Sequence, residues 1–135
     1  MEVFILSYIV SLLLLVVLDA IWLKFIIKGF VKEHIGHLMA DSVKMGPVIF
    51  FYPLYALGIT ILIVFPAIHG ETELWRTFIF GALLGTISYG AYDLTNFATL
   101  KNWSLKMTVV DMAWGTFITG VVSLATFWMV SFLSY

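Results

Sequence analysis

The stretch Val3–Ile27 reads VFILSYIVSLLLLVVLDAIWLKFII, and only Asp19 and Lys24 in it are charged. A helix rises about 1.5 Å per residue and the hydrocarbon core of a bilayer is about 30 Å thick, so about 20 apolar residues cross it. Three further runs have the same character: Pro47–Ile68, Leu74–Ala98 with Asp93 inside it, and Leu105–Leu133 with Asp111 inside it. Inside lipid only helices and closed barrels satisfy their own backbone, and these runs are too long and continuous for alternating barrel strands. The reading is an all-α integral membrane protein. It has one domain over residues 1–135, a bundle of four transmembrane helices at about 3–27, 47–68, 74–98 and 105–133.

Composition leads to the same class. Of 135 residues, 62% are hydrophobic and 11% charged, and the mean hydropathy is +1.07. Soluble domains run at about 45–50% apolar and about 25% charged. Too few charges remain to cover a water-facing surface, and disorder requires low hydrophobicity. A net charge of −1 gives nucleic acid no electrostatic hold. The absence of cysteine removes disulfides, thiolate metal sites, iron–sulfur clusters and cysteine nucleophiles. Met1-Glu2 offers no basic region ahead of the first run, so that run is expected to be a retained helix rather than a cleaved leader.

Basic residues set the expected orientation. The first connection and its flanks carry Lys24, Lys28, Lys32 and Lys44, and the third carries Lys101 and Lys106, against Arg76 alone on the other side. The positive-inside rule then puts both termini outside the cytoplasm. Within the first connection, Val31, Ile35, Leu38 and Met39 share one helical face, with His34, His37, Asp41 and Lys44 opposite. That pattern predicts a short interfacial amphipathic helix over Val31–Val43, flat on the cytoplasmic surface. On such a helix His34, His37 and Asp41 form a stripe with metal-ligand spacing. The weaker reading is a metal site. The stronger is the solvated side of an interfacial helix, and no cofactor is otherwise implied.

The chemistry concentrates in three carboxylates. Asp19 lies eight residues before Ile27, about 12 Å from that boundary. Asp93 lies five residues before Ala98, and Asp111 five residues after Lys106. All three are therefore expected at similar depth in the cytoplasmic leaflet. An aspartate within a spanning helix costs at least about 2.5–3.5 kcal/mol on insertion scales. Each has polar or aromatic company: Trp22 after Asp19, Tyr89, Tyr92 and Asn96 around Asp93, Trp114 after Asp111. These eight residues form the expected binding pocket. The spacing Asp-x-x-Trp occurs twice, in helices of opposite direction. Lys24 and Lys101 are expected to snorkel to the interface, so the carboxylates either carry protons or bind a cation, with Asn96 as a further oxygen donor. The plainer alternative is a polar knot that locks the helices together. Gly81-x-x-x-Gly85 allows close helix approach, either within one chain or between two copies.

Two stretches carry a resemblance. Leu18-Asp19-Ala20-Ile21-Trp22-Leu23 is one, and YGAYDLTNFATLKNWSLKMTVVDMAWG, Tyr89 through Gly115, is the other. The longer one resembles the signature of a family of small predicted bacterial membrane proteins defined as a domain of unknown function. The resemblance implies four helices, a bacterial inner membrane and no particular activity. Its motif residues coincide with the polar cluster.

Three functional classes follow. The first is a small transporter or ion-binding protein in which the aspartates hold a proton, cation or small polar solute. Four helices enclose little volume, so this reading implies a homodimer. The second is a membrane enzyme, or a subunit of one, acting on a lipid at the cytoplasmic leaflet with two aspartates as acid and base. The third is a structural partner within a larger membrane complex.

Overall fold

Every long apolar run forms a helix in the computed structural model, which describes residues 1–135 and contains no strand. Helix α1 (Glu2–Ile21) runs on into a π turn at Trp22–Ile26. Helix α2 (Lys28–Ile35) follows a bend at Ile27. Helix α3 (Met45–Ile59) continues through a π segment, Thr60–Val64, into α4 (Phe65–His69). Helices α5 (Leu74–Thr99) and α6 (Leu105–Leu133) complete the chain. Three of these helices, Glu2–Ile26, Met45–His69 and Leu105–Leu133, are long and apolar enough to cross a membrane. The fourth, α5, is comparable in length but more polar, since it carries Arg76, Thr77, Thr86, Ser88, Asp93 and Asn96.

The burial pattern is that of a protein solvated by lipid. Large apolar side chains such as Phe25, Phe50, Ile49 and Phe132 face outward, while Ser7, Ser11, Thr60, Thr77, Thr119, Ser123 and Thr126 are fully buried. Lipid tails are as apolar as leucine, so burying leucine gains little there. Close packing and interhelical hydrogen bonds hold such helices together instead. Ser11 donates to Thr126 at 3.2 Å, Thr86 and Thr116 pair at 2.7 Å, and Tyr55 and Thr119 pair at 2.6 Å.

Gly81 and Gly85 fall on the seam between α5 and α6. A Cβ at Gly81 would overlap Ser123, and one at Gly85 would overlap the Gly115 carbonyl and Thr119. The small residues thus serve packing within the chain. The turn into α6 places Asn102 at φ 62, a left-handed conformation that asparagine tolerates. Ser104 then caps α6, its Oγ accepting from the Met107 amide at 3.1 Å.

The connecting helix differs from expectation. It covers Lys28–Ile35, starts three residues earlier than predicted, and gives way to a single 3₁₀ turn at Gly36–Leu38. Met39–Lys44 is not helical. The break falls at Ile35, whose φ of −134 and ψ of 14 leave the helical region just before the 3₁₀ turn. Half of the predicted apolar stripe also docks on protein: Ile35 is buried with Trp103 and Met107, and Phe30 and Val31 pack against them. Leu38 and Met39 remain exposed.

Candidate functional site

Asp19 occupies the last regular turn of α1, at the end of the bundle that carries the lysines. It is buried, and both oxygens accept hydrogen bonds. The Tyr52 hydroxyl of α3 donates to Oδ2, and the Trp114 indole of α6 donates to Oδ1 at 3.0 Å. One residue thereby ties three helices together. The π turn begins at Trp22, one turn beyond Asp19. Such turns are rare and occur often at functional sites. The Trp22 ring stacks face to face on Trp114, centroids 4.2 Å apart and planes 2° from parallel. The two Asp-x-x-Trp segments therefore cross: the aspartate of one is held by the tryptophan of the other, and the two indoles lie against each other.

Asp93 on α5 is fully buried, and neither carboxylate oxygen has a hydrogen-bond partner. Its neighbour is Asp111 on α6, half-buried and within hydrogen-bond reach of Asp93 once one of the two carries a proton. An ionised carboxylate only accepts hydrogen bonds. The pair as two carboxylates would place two acceptors together with no donor between them.

Aromatic rings frame these groups. Tyr89 lies flat against α6 because position 115 is glycine; a Cβ there would run into the Tyr89 ring. Tyr55 stands edge-on to Tyr89, and Tyr92 edge-on to Trp103 at 5.8 Å. Between the helices is a cavity of about 490 Å³. Its polar floor is Asp19, Asp111 and Ser88. Trp22, Phe51, Tyr52, Tyr89 and Tyr92 form its aromatic walls, and Val31, Ile35 and Met39 close it from the α2 side.

Of the eight residues expected around one pocket, Asp19, Trp22, Tyr89, Tyr92 and Asp111 line this cavity. Trp114 touches it only through its stack on Trp22 and its bond to Asp19. Asp93 stands off the wall, next to Asp111. Asn96 is half-buried and does not line the cavity. The stripe His34, His37 and Asp41 does not form, because α2 ends at Ile35 and leaves His37 in the 3₁₀ turn and Asp41 beyond it. His34 turns back on its own helix: Nδ1 lies 2.9 Å from the Phe30 carbonyl, and its ring stacks on Phe30 at 3.9 Å. No group of three or more His, Cys, Asp or Glu side chains gathers closely enough to hold a metal.

Sequence reasoning missed Tyr52, the second donor to Asp19, and the cover supplied by α2. The signal for Tyr52 was its i, i+3 pairing with Tyr55 across Pro53 in an otherwise apolar helix. That marks one face as polar at the same end of the bundle as the aspartates. For the cover there was no local signal, since Val31 and Ile35 meet their partners only through tertiary packing.

A family model described as "Predicted membrane protein (DUF2177)" matches residues 4–128. No curated protein and no solved structure matches the chain. The match spans all the helices that build the cavity and includes both Asp-x-x-Trp segments. The chain belongs to the DUF2177 family of predicted membrane proteins.

Proposed function

We propose that this protein is a small bacterial inner-membrane transporter that takes up a proton at the Asp93–Asp111 pair and exchanges it with the adjoining cavity. The observation that carries the reading is Asp93, fully buried with both oxygens unpartnered, next to a second carboxyl. Two bare carboxylates this close repel each other in a medium of low dielectric and lack donors. One proton between them cancels a charge and supplies the missing donor. A hard metal cation suits the pair less well, because it wants several oxygens and no third Asp, Glu or His side chain gathers with the two carboxyls.

Four crossings support this assignment better than three. The outward face of α5 is apolar, with Ile79, Phe80, Leu83 and Ile87 exposed, and its glycines embed it in the seam with α6. Its polar residues are those turned toward the bundle or near its ends. With four crossings the lysine bias puts both termini outside and the cavity in the cytoplasmic half. A reporter fused after Tyr135 is then active only in an extracytoplasmic format, and a cytoplasmically active fusion contradicts the orientation.

Reconstituted vesicles test the proton reading. A pH-sensitive dye inside vesicles held at an imposed membrane potential reports proton uptake well above that of protein-free vesicles. Asp93→Asn removes the uptake and keeps the helical circular dichroism of the parent. Unchanged uptake in Asp93→Asn reduces the pair to a polar knot between α5 and α6.

A further inference from the structure

The cavity beside the carboxylates has a composition that the proton alone does not require. Two acids line it and no lysine, arginine or histidine does. Its aromatic walls are Trp22, Phe51, Tyr52, Tyr89 and Tyr92. Its volume of about 490 Å³ falls within the range of small-molecule sites, about 300–1,000 Å³. A proton pathway needs only a file of waters or hydroxyls.

Aromatic rings carry negative charge on their faces and attract cations within about 6 Å, most strongly when water is excluded. The Trp22 ring is fixed by its parallel stack on Trp114, and Trp114 is fixed in turn by its bond to Asp19. The box is therefore preorganised and lowers the entropy cost of binding. A metal ion or a hydrated inorganic cation would leave most of the apolar wall unfilled. An anion would face two carboxyls.

We infer that the cavity binds an organic ammonium ion, its charged head against Asp19 and Asp111 and its apolar body among Trp22, Phe51 and Tyr89. The ammonium belongs either to a free hydrophobic amine or to a lipid headgroup, since α2 borders the cavity at the level of the basic residues. The inference extends the proton reading and rests on it in one respect: the cation and the proton compete for the charge on Asp111.

The probe is benzyltrimethylammonium, added to the full chain in nanodiscs of phosphatidylglycerol, which contain no amine lipid. Its uncharged carbon isostere, neopentylbenzene, is the control, and tryptophan fluorescence is the readout. The cation quenches saturably and binds at least tenfold more tightly than the isostere. Asp19→Asn lowers the affinity at least tenfold. Trp22→Leu lowers it severalfold while removing neither donor to Asp19, so the test survives if Asp19→Asn misfolds. Equal affinity for cation and isostere, or affinity unchanged in both variants, overturns the proposal. Nanodiscs of phosphatidylethanolamine separate the two sources. Weakened probe binding there identifies the headgroup as the occupant, and unchanged binding identifies a free amine. Probe affinity at a single pH fails only if the ammonium site is wrong, whereas failure of the proton reading shows as proton uptake that persists in Asp93→Asn.

Discussion

The two ends of the bundle are built on opposite principles. Toward the termini the apolar core of Leu15, Val64, Ile118 and Val122 is interleaved with Ser7, Ser11, Gly81, Gly85, Thr119, Ser123 and Thr126, and at the two glycines the helices approach until a single added Cβ would overlap a neighbour. Most hydroxyls there bond either across the seam, as Ser11 does to Thr126, or back to their own helix, as Ser7 does to the Val3 carbonyl. Toward the lysines the interior consists of tryptophan, tyrosine and aspartate, and these larger side chains hold the helices apart around a cavity. Small residues maximise contact between helices in lipid, whereas intramembrane carboxylates cost free energy and mark function. On the proposed function, stability belongs to one end and chemistry to the other. Tyr55, bonded to Thr119 and edge-on to Tyr89, lies at the border between the two.

Substitutions at each end should separate the two roles. Gly85→Leu pushes α5 away from Gly115 and Thr119, and overpacking of this kind costs about 1–3 kcal/mol. Reversible detergent unfolding should show this largest loss, although the site lies elsewhere. Tyr52→Phe leaves Asp19 with Trp114 as its one donor. It should cost up to about 1.7 kcal/mol, the upper end for hydrogen bonds between membrane helices, and weaken ammonium binding in the fluorescence titration. Ser11→Ala removes the bond to Thr126 and should cost about 0.6 kcal/mol, with probe affinity unchanged. Asp93→Asn should have the smallest effect on stability, below about 0.6 kcal/mol, because the new amide can donate to Asp111 in place of the shared proton. Its effect on proton uptake is nevertheless complete. A Ser11→Ala protein with weakened probe binding, or an Asp93→Asn protein as unstable as Gly85→Leu, would erase the distinction between the ends.

Much of this was legible in the chain because lipid imposes few and strong constraints. Each of the four long helices lies within two residues of the boundary read from apolar length alone. The expectation that Asp19, Asp93 and Asp111 share one depth rested on helix rise alone; Asp19 and Asp111 line the cavity, and Asp93 stands off its wall beside Asp111. The pairing within that cluster was not legible. Depth gives no azimuth, so nothing local indicated that Asp19 would bond Tyr52 and Trp114 while Asp93 turned to Asp111. The connecting helix was misjudged for a related reason. Periodicity gave Val31, Ile35, Leu38 and Met39 a common face, but the helix breaks at Ile35 between them, and Trp103 and Met107 take the place expected of lipid.

The most direct test of the shared proton is infrared difference spectroscopy of the reconstituted protein across a pH step. A protonated carboxyl shielded from water has its own C=O stretching band, distinct from that of carboxylate. The wild-type protein should show this band at neutral pH, shifted by deuterium exchange and absent from Asp93→Asn. A wild-type spectrum without the band, or one in which the band persists unchanged in Asp93→Asn, would contradict the assignment of a proton to the Asp93–Asp111 pair.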